Sequence, residues 1–239
     1  MGHVITSDGL QADPNKIKAI LNMPSATDKE AVQRLLRMTN YVQRFAPGLG
    51  DATKPLRDLL KKDSVFMWDQ SQDKAFNEVK SILTKAPVLK YFSQEKESVL
   101  QCDESKDGLG ACPMQGGYAS AYASRALTPT EVNYAQIEKE LLSVVFGVEK
   151  FSEFLYGRHF VIETDHKPLE SIVRKSLLSS PKRLQKKLQR LQKYDLEVVY
   201  KRRVEMYMAD TLSVWCNLQR RTCGHTCSST QHDDQEIPF

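Results

Sequence analysis

The period of apolar positions changes along this chain near residue 93. Before it, apolar residues recur at the three-to-four-residue interval of amphipathic helices. Asp13 followed by Pro14 reads as an N-cap with proline at the first helical position, opening "PNKIKAILN", and Pro24 stops that helix. Thr27 and Glu30 have the spacing of a capping box for "DKEAVQRLLRMTNYVQRF". In that segment Val32, Leu35, Leu36, Met38 and Val42 share a face, and Pro47 and Gly48 end it. "KPLRDLLKK" and "QDKAFNEVKSILTKA" predict two more helices, the second with Ala75, Phe76, Val79, Ile82 and Leu83 apolar. These short, basic-tinged helices hold no catalytic cluster.

From residue 93 to 214 short alternating runs take over. "ESVLQCD" predicts a strand, and "GACPMQ" and "YASAYASR" two more, joined by a tight hairpin at Gly116 and Gly117. A long helix follows, "TEVNYAQIEKELLSVVFGVEKFSEFLYG", with Ile137, Leu141, Val144, Val148, Phe151 and Leu155 on one stripe. "HFVIETD" is a fourth strand, "SPKRLQKKLQRLQKYD" a helix, "LEVVYK" a fifth strand, and a last short helix surrounds "YMADTLSVW". This order is mixed α/β. Residues 215–239 are polar and aperiodic and are expected to be a largely disordered tail. The chain thus divides into 1–92, 93–214 and 215–239.

Composition narrows the class. The 239 residues are 41% hydrophobic and 27% charged, which suits a soluble globular protein of one or two domains. No apolar run approaches the roughly 18 residues of a membrane span, so no membrane partner is expected. The first residues lack a basic region followed by an apolar stretch, so no secretory signal is expected. Five cysteines, odd in number and without dense spacing, point to a reduced intracellular setting, cytoplasmic or nuclear. Cys216, Cys223, His225 and Cys227 match no common closed zinc pattern.

The net charge of +4 hides an asymmetry. Residues 97–170 carry 12 acidic and 6 basic residues, whereas residues 171–204 carry 11 basic and 2 acidic. An acidic block beside a basic one suits a metal site next to a polyanion track.

Asp103 ends the first strand of the second segment and Asp165 ends the fourth. Alone, such an aspartate is a turn former or a helix cap. If the two strands are parallel neighbours with the long helix as crossover, both acids lie at the carboxyl edge, where open α/β sheets place their sites. At about 100° per residue Glu140 falls about 70° from the centre of the apolar stripe, and Glu138 about 90° away on the other side. Glu140 is therefore taken to flank the buried face and Glu138 to face solvent. Asp210, in the final helix, closes the ring. Four converging carboxylates repel one another unless cations hold them, and their hard oxygens suit Mg²⁺ or Mn²⁺. Two such ions about 4 Å apart activate water and stabilise the leaving oxygen in phosphodiester hydrolysis.

"DESKDGLGA", "AYASRALTPTEVNYAQIEKELLSVVFGVEKF", "YGRHFVIETDHKPL", "RLQKYDLEVVY" and "ADTLS" resemble the RNase H domain of gypsy-type LTR retrotransposon Pol polyproteins. "GHVITSDGLQADPNKIKAILNMP", "TNYVQRFAP" and "PLRDLLKKD" resemble the end of the reverse transcriptase palm and the thumb before it. The resemblance covers about residues 1–214. It implies an α/β fold with an RNase H-like five-stranded mixed sheet and flanking helices, preceded by a mainly helical thumb segment. It implies a Mg²⁺-dependent ribonuclease H that cuts RNA in RNA–DNA hybrids with two ions, Mg²⁺ or Mn²⁺. Residue by residue, it carries the catalytic and metal-binding roles to Asp103, Glu140, Asp165 and Asp210. Lys182, Arg183, Lys186, Lys187, Arg190 and Lys193, on the basic helix, look like contacts for a nucleic-acid backbone. Gly2 and His3 resemble the end of the primer-gripping hairpin.

The polymerase signature Tyr-x-Asp-Asp is missing; Asp233 and Asp234 form the chain's Asp-Asp pair, without that tyrosine. This segment is therefore not expected to polymerise DNA by itself and reads as a piece of a larger Pol polyprotein or as the product of a decaying insertion. Two features depart from the family. Pro113 falls in the second strand, inside the sheet, where it is expected to remove a ladder hydrogen bond. "KRRVEMYMAD" replaces a usual Pro-Gly turn before Asp210. The alternative to an active nuclease is a catalytically decayed nucleic-acid-binding remnant.

Overall fold

The computed structural model describes residues 3–62, 64–175, 177–202 and 205–206. The expected last helix, with Asp210, and the tail lie outside the described residues, as does most of the loop before Asp210.

The chain begins with an antiparallel hairpin that the helical reading of this segment did not include, β1 (His3–Thr6) and β2 (Gly9–Ala12). Helix α1 (Pro14–Leu21) starts as expected, with the Asp13 carboxylate accepting from Asn15 N–H at 2.9 Å. Helix α2 (Lys29–Val42) is capped one residue later than the sequence spacing indicates. Asp28, not Thr27, is the N-cap, and its Oδ1 accepts from Ala31 N–H at 2.7 Å. A 3-10 turn at Gln43–Phe45 leads to the short α3 (Leu49–Ala52) and α4 (Lys54–Asp58). Helix α5 (Gln70–Thr84) opens with a capping box between Asp69 and Gln72. Ile20, Val32, Leu35, Leu56, Phe76 and Val79 meet in the core of this helical part.

Next come β3 (Ser98–Glu104), β4 (Gly108–Gln115), β5 (Tyr118–Ala119) and β6 (Ala123–Ala126). Then follow α6 (Pro129–Val132), α7 (Gln136–Lys150), α8 (Ser152–Leu155) and β7 (His159–Thr164). The described part ends with α9 (Lys167–Arg174), α10 (Lys182–Leu191) and β8 (Asp195–Tyr200). The sheet has the order β5-β4-β3-β7-β8, with β6 also on β4. Strand β4 is antiparallel to β3, while β3, β7 and β8 run parallel. This is the mixed α/β sheet with flanking helices that was expected. The third expected strand is split into β5 and β6, which raises the strand count by one.

The expected long helix is interrupted. Ala135 is extended (φ −60°, ψ 152°) and starts α7 afresh, and Phe151 separates α7 from α8. Leu100, Cys102, Ala111, Leu141, Val144, Val148, Phe160 and Ile162 pack α7 against one face of the sheet. Gly147 allows the close approach, because a Cβ there would stand 2.9 Å from both the Ala111 Cβ and the Cys102 Sγ.

The opposite face of β4 is covered by residues from before position 92. Phe45 and Leu89 pack with Cys112, Met114, Ala119 and Tyr122. Backbone bonds reinforce this seam, from Lys90 N–H to Ala119 O (2.9 Å) and from Tyr122 N–H to Arg44 O (2.9 Å). Gly50 N–H donates to Ser124 Oγ at 3.0 Å, and Lys54 forms an ion pair with Asp107.

Pro113 sits opposite Leu100 on β3, inside the sheet as expected, but it removes no bond between β3 and β4. Its carbonyl accepts Ser120 N–H at 2.9 Å on the side away from β3. In a strand the N–H and C=O of one residue point the same way, so the missing N–H also faces that side. There β4 pairs with β5 through Met114 and Gln115 and with β6 through Gly108–Ala111, and position 113 falls between the two ladders.

Candidate active site

The parallel register pairs Gln101 with Glu163, so Asp103 and Asp165, each two residues further on, stand at the same carboxyl edge. Asp103 is 8% exposed. Helix α7 crosses from β6 towards β7 and places Glu140 one turn inside its N-terminus, 4% exposed. Glu140 Oε1 accepts from Gln136 Nε2 at 2.9 Å, and His166 Nδ1 lies 3.7 Å from the same oxygen. Glu140 Oε2 is buried without a hydrogen-bond partner. Burial lifts the Glu140 carboxyl to about 8; the Gln136 bond opposes the shift, and the charges of Asp165, Glu104 and Asp103 add to it. Those three acids are therefore its electrostatic neighbours.

The structure thus brings Asp103, Glu140 and Asp165 to one edge, and Asp210 falls outside the described residues. The donor chemistry fits a hard divalent cation, since several carboxylates share this edge and one buried carboxyl oxygen lacks a hydrogen-bond partner. The spacing is looser than coordination: among the described residues no three His, Cys, Asp or Glu side chains are gathered closely enough to hold an ion as they stand.

Glu138 is not at the surface, contrary to the helical-wheel expectation. It is 6% exposed, and its Oε2 accepts Ala135 N–H at 3.1 Å. The wheel treats every turn alike, but Glu138 is the third residue of α7 and folds back to cap the free N–H groups of the helix start. Three residues that the sequence reading passed over also belong to the edge. Glu104 adjoins Asp103, His166 follows Asp165, and Gln136 precedes Glu140 by four; that last spacing, which puts two side chains on one helix face, was the available signal.

The basic helix lies beside this edge. Leu184, Leu188 and Leu191 join the core that α7 also lines, which turns Lys182, Arg183, Lys186, Arg190 and Lys193 outward, while Lys187 is half-buried. Their engagements differ. Arg190 is held by Glu149, with Nε 2.7 Å from Oε1. Lys187 Nζ sits 4.7 Å above the Tyr134 ring, and burial lowers its pKa. Lys193 Nζ lies 5.2 Å over Tyr194, and Arg183 reaches Glu138 at 4.0 Å. Among the described residues no helix is long and apolar enough to cross a membrane.

These features define an RNase H-like α/β domain. The family model described as "RNase H-like domain found in reverse transcriptase" matches residues 68–162. Over 237 residues the chain is 33% identical to the retrovirus-related Pol polyprotein from transposon 297 of Drosophila melanogaster, covering 99% of this chain and 22% of that protein. It is 31% identical to the Pol polyprotein from transposon gypsy of the same organism, covering 89% of this chain and 22% of that one. The chain is thus similar to a stretch of the Pol polyproteins of LTR retrotransposons, gypsy-type elements among them, and spans about a fifth of the length of these relatives.

Solved structures share the fold. A foamy viral protease-reverse transcriptase in complex with RNA/DNA hybrid superposes with a TM-score of 0.73 at 18% identity, covering 100% of this chain and 31% of that one. A second, in complex with double-stranded DNA, gives 0.72 at 21% identity over 84% of this chain and 37% of that one.

Proposed function

We propose that this chain is the ribonuclease H segment of a retrotransposon Pol polyprotein and cuts the RNA strand of RNA–DNA hybrids with a divalent metal, Mg²⁺ or Mn²⁺. The observation that carries the reading is Glu140, buried at an edge shared with Asp103 and Asp165, with one oxygen unpartnered. Residues 1–92 then correspond to the end of the palm and the thumb, 93–214 to the nuclease and 215–239 to a tail, in an intracellular setting. The remainder of a Pol polyprotein is the natural partner.

Asp103, Glu140 and Asp165, with Asp210, would hold the ions. When bound, two such ions activate water and stabilise the leaving oxygen of the phosphodiester. The protein's own part is to hold these carboxylates on rigid elements. Asp103 is fixed by the β3 ladder, Asp165 by the end of β7, and Glu140 by the packing of α7. The outward cations of α10 draw the polyanionic duplex towards the edge and set its track by phosphate contacts.

The test is incubation of a duplex labelled on its RNA strand with the protein and Mg²⁺ or Mn²⁺, against a parallel sample with EDTA. Cleavage of the RNA strand in the metal samples alone is expected. Hybrid bound but never cut with either metal would overturn the nuclease and leave the nucleic-acid-binding remnant.

A further inference from the structure

Gln136 is the first residue of α7, and its side-chain amide joins two acids. Nε2 donates to Glu140 Oε1 at 2.9 Å and also to Glu104 Oε1. An amide NH₂ has two protons, so both are engaged. Glu104 is the last residue of β3 and Glu140 lies in the second turn of α7, so one side chain ties the strand end to the helix start.

Two consequences follow from the chemistry. Ionised carboxylates only accept, so a neighbour that offers Glu104 a donor must turn its NH₂ edge towards it; Glu104 thereby fixes which way the Gln136 amide faces. That amide then holds one oxygen of Glu140 and leaves the other, Oε2, without a partner in a buried setting. The amide also stands between two acids that act on each other electrostatically. Free rotation of Glu140 would otherwise let it swing away from Glu104, Asp103 and Asp165.

We propose that Gln136 is a positioning residue for Glu140, and that Glu104 sets the orientation of its amide, so that the pair presents Glu140 Oε2 to a divalent cation. This rests on the reading that the edge binds such a cation. Neither residue is asked to touch the ion or the scissile phosphate. Groups that orient a metal ligand in this way change metal affinity or activity by about 10–100-fold when removed.

The experiment is titration of the metal-free chain with Mn²⁺, the free ion read by electron paramagnetic resonance, for wild type, Gln136→Leu, Glu104→Ala and Glu140→Gln. Steady-state cleavage of labelled hybrid is measured on the same samples. Gln136 is exposed, so leucine at that position is compatible with the fold. Gln136→Leu is expected to weaken Mn²⁺ binding about 10-fold or more and to lower kcat while KM for hybrid stays near the wild-type value. Glu104→Ala should move both in the same direction by less, since the amide remains but is free to turn.

Wild-type Mn²⁺ affinity in Gln136→Leu, with binding lost in Glu140→Gln, would overturn the positioning role and leave the nuclease reading standing. A wild-type chain that binds no Mn²⁺ and cuts nothing would overturn both. Should Gln136→Leu lose its cooperative melt, Glu104→Ala decides: weakened Mn²⁺ binding upholds the proposal, and unchanged binding overturns it.

Discussion

Among the described residues two clusters of carboxylates stand out, and burial raises the pKa of an acid in each. At the seam between the helical part and the sheet, Asp51 is pushed up by burial and by the charge of Asp107. A hydrogen bond with Ser105 and the charges of Arg57 and Lys54 pull it back, and Lys54 also pairs with Asp107. At the carboxyl edge of the sheet, Glu140 is pushed up by burial and by three acids, and the group that pulls it back is the neutral amide of Gln136. A raised carboxyl therefore does not by itself mark a site. What separates the two clusters is where the balancing charge comes from. The seam carries its own lysine and arginine, while the forces on Glu140 leave room for a cation from outside.

The largest expected effect breaks this contrast at the edge. Asp103→Asn keeps size and one oxygen but removes the charge that would hold a divalent ion. Cleavage of labelled hybrid should fall by several orders of magnitude, with the melting curve and most of the hybrid binding preserved. A cleavage rate near wild type would remove Asp103 from the site.

The two glutamates of α7 come next. Glu140→Gln should abolish cleavage, while Glu138→Gln should leave kcat near wild type and lower stability by about 0.3–1 kcal/mol, the usual worth of a charge at a helix N-terminus. Equal damage to cleavage from both would show that the helix carboxylate of the site is wrongly assigned to Glu140.

Much of this was legible in the sequence, and the failures have common causes. Strand-end aspartates and the apolar stripe of α7 followed from alternation and periodicity, because β3, β7 and α7 are packed on a face that selects apolar residues. Periodicity says nothing about a helix end, which is why Glu138 was assigned to solvent and the α2 cap was placed at Thr27 and not Asp28. Pro113 looked damaging because a sequence shows that an N–H is missing but not which way it would have pointed. The seam was invisible for a related reason. Cys112 and Met114 read as one face of a strand, and nothing local says that Phe45 and Leu89, from the helical part, cover it.

A smaller effect sharpens the contrast at the basic helix, whose cations are proposed to meet a polyanion. Lys182→Ala and Lys186→Ala should each reduce the slope of log affinity against log salt by about 0.9 on B-form DNA, and comparably on a hybrid. Arg190→Ala should reduce it by less, because Glu149 already neutralises that guanidinium. Equal slopes for Arg190→Ala and Lys186→Ala would mean that the duplex displaces Glu149.

The smallest effect concerns the seam, through Asp51. Its folded-state pKa lies above the 3.8 of the free side chain, so between those two values the folded chain binds the proton that the unfolded chain has released. Stability therefore falls as pH rises through that window and stays lower above it. Asparagine at position 51 cannot titrate, and it keeps an oxygen to accept a hydrogen bond from Ser105. Asp51→Asn should thus raise the melting temperature at neutral pH relative to wild type and lose that advantage in acid. The gain is limited because Arg57 and Lys54, which favour the charged aspartate, lose their partner. Melting curves of both proteins from pH 3 to pH 8, with and without Mg²⁺, provide the check. Mg²⁺ should shift wild type and Asp51→Asn equally, because the site proposed for the ion is the other cluster; a Mg²⁺ shift that disappears in Asp51→Asn would place the ion at the seam and undo the distinction between the two.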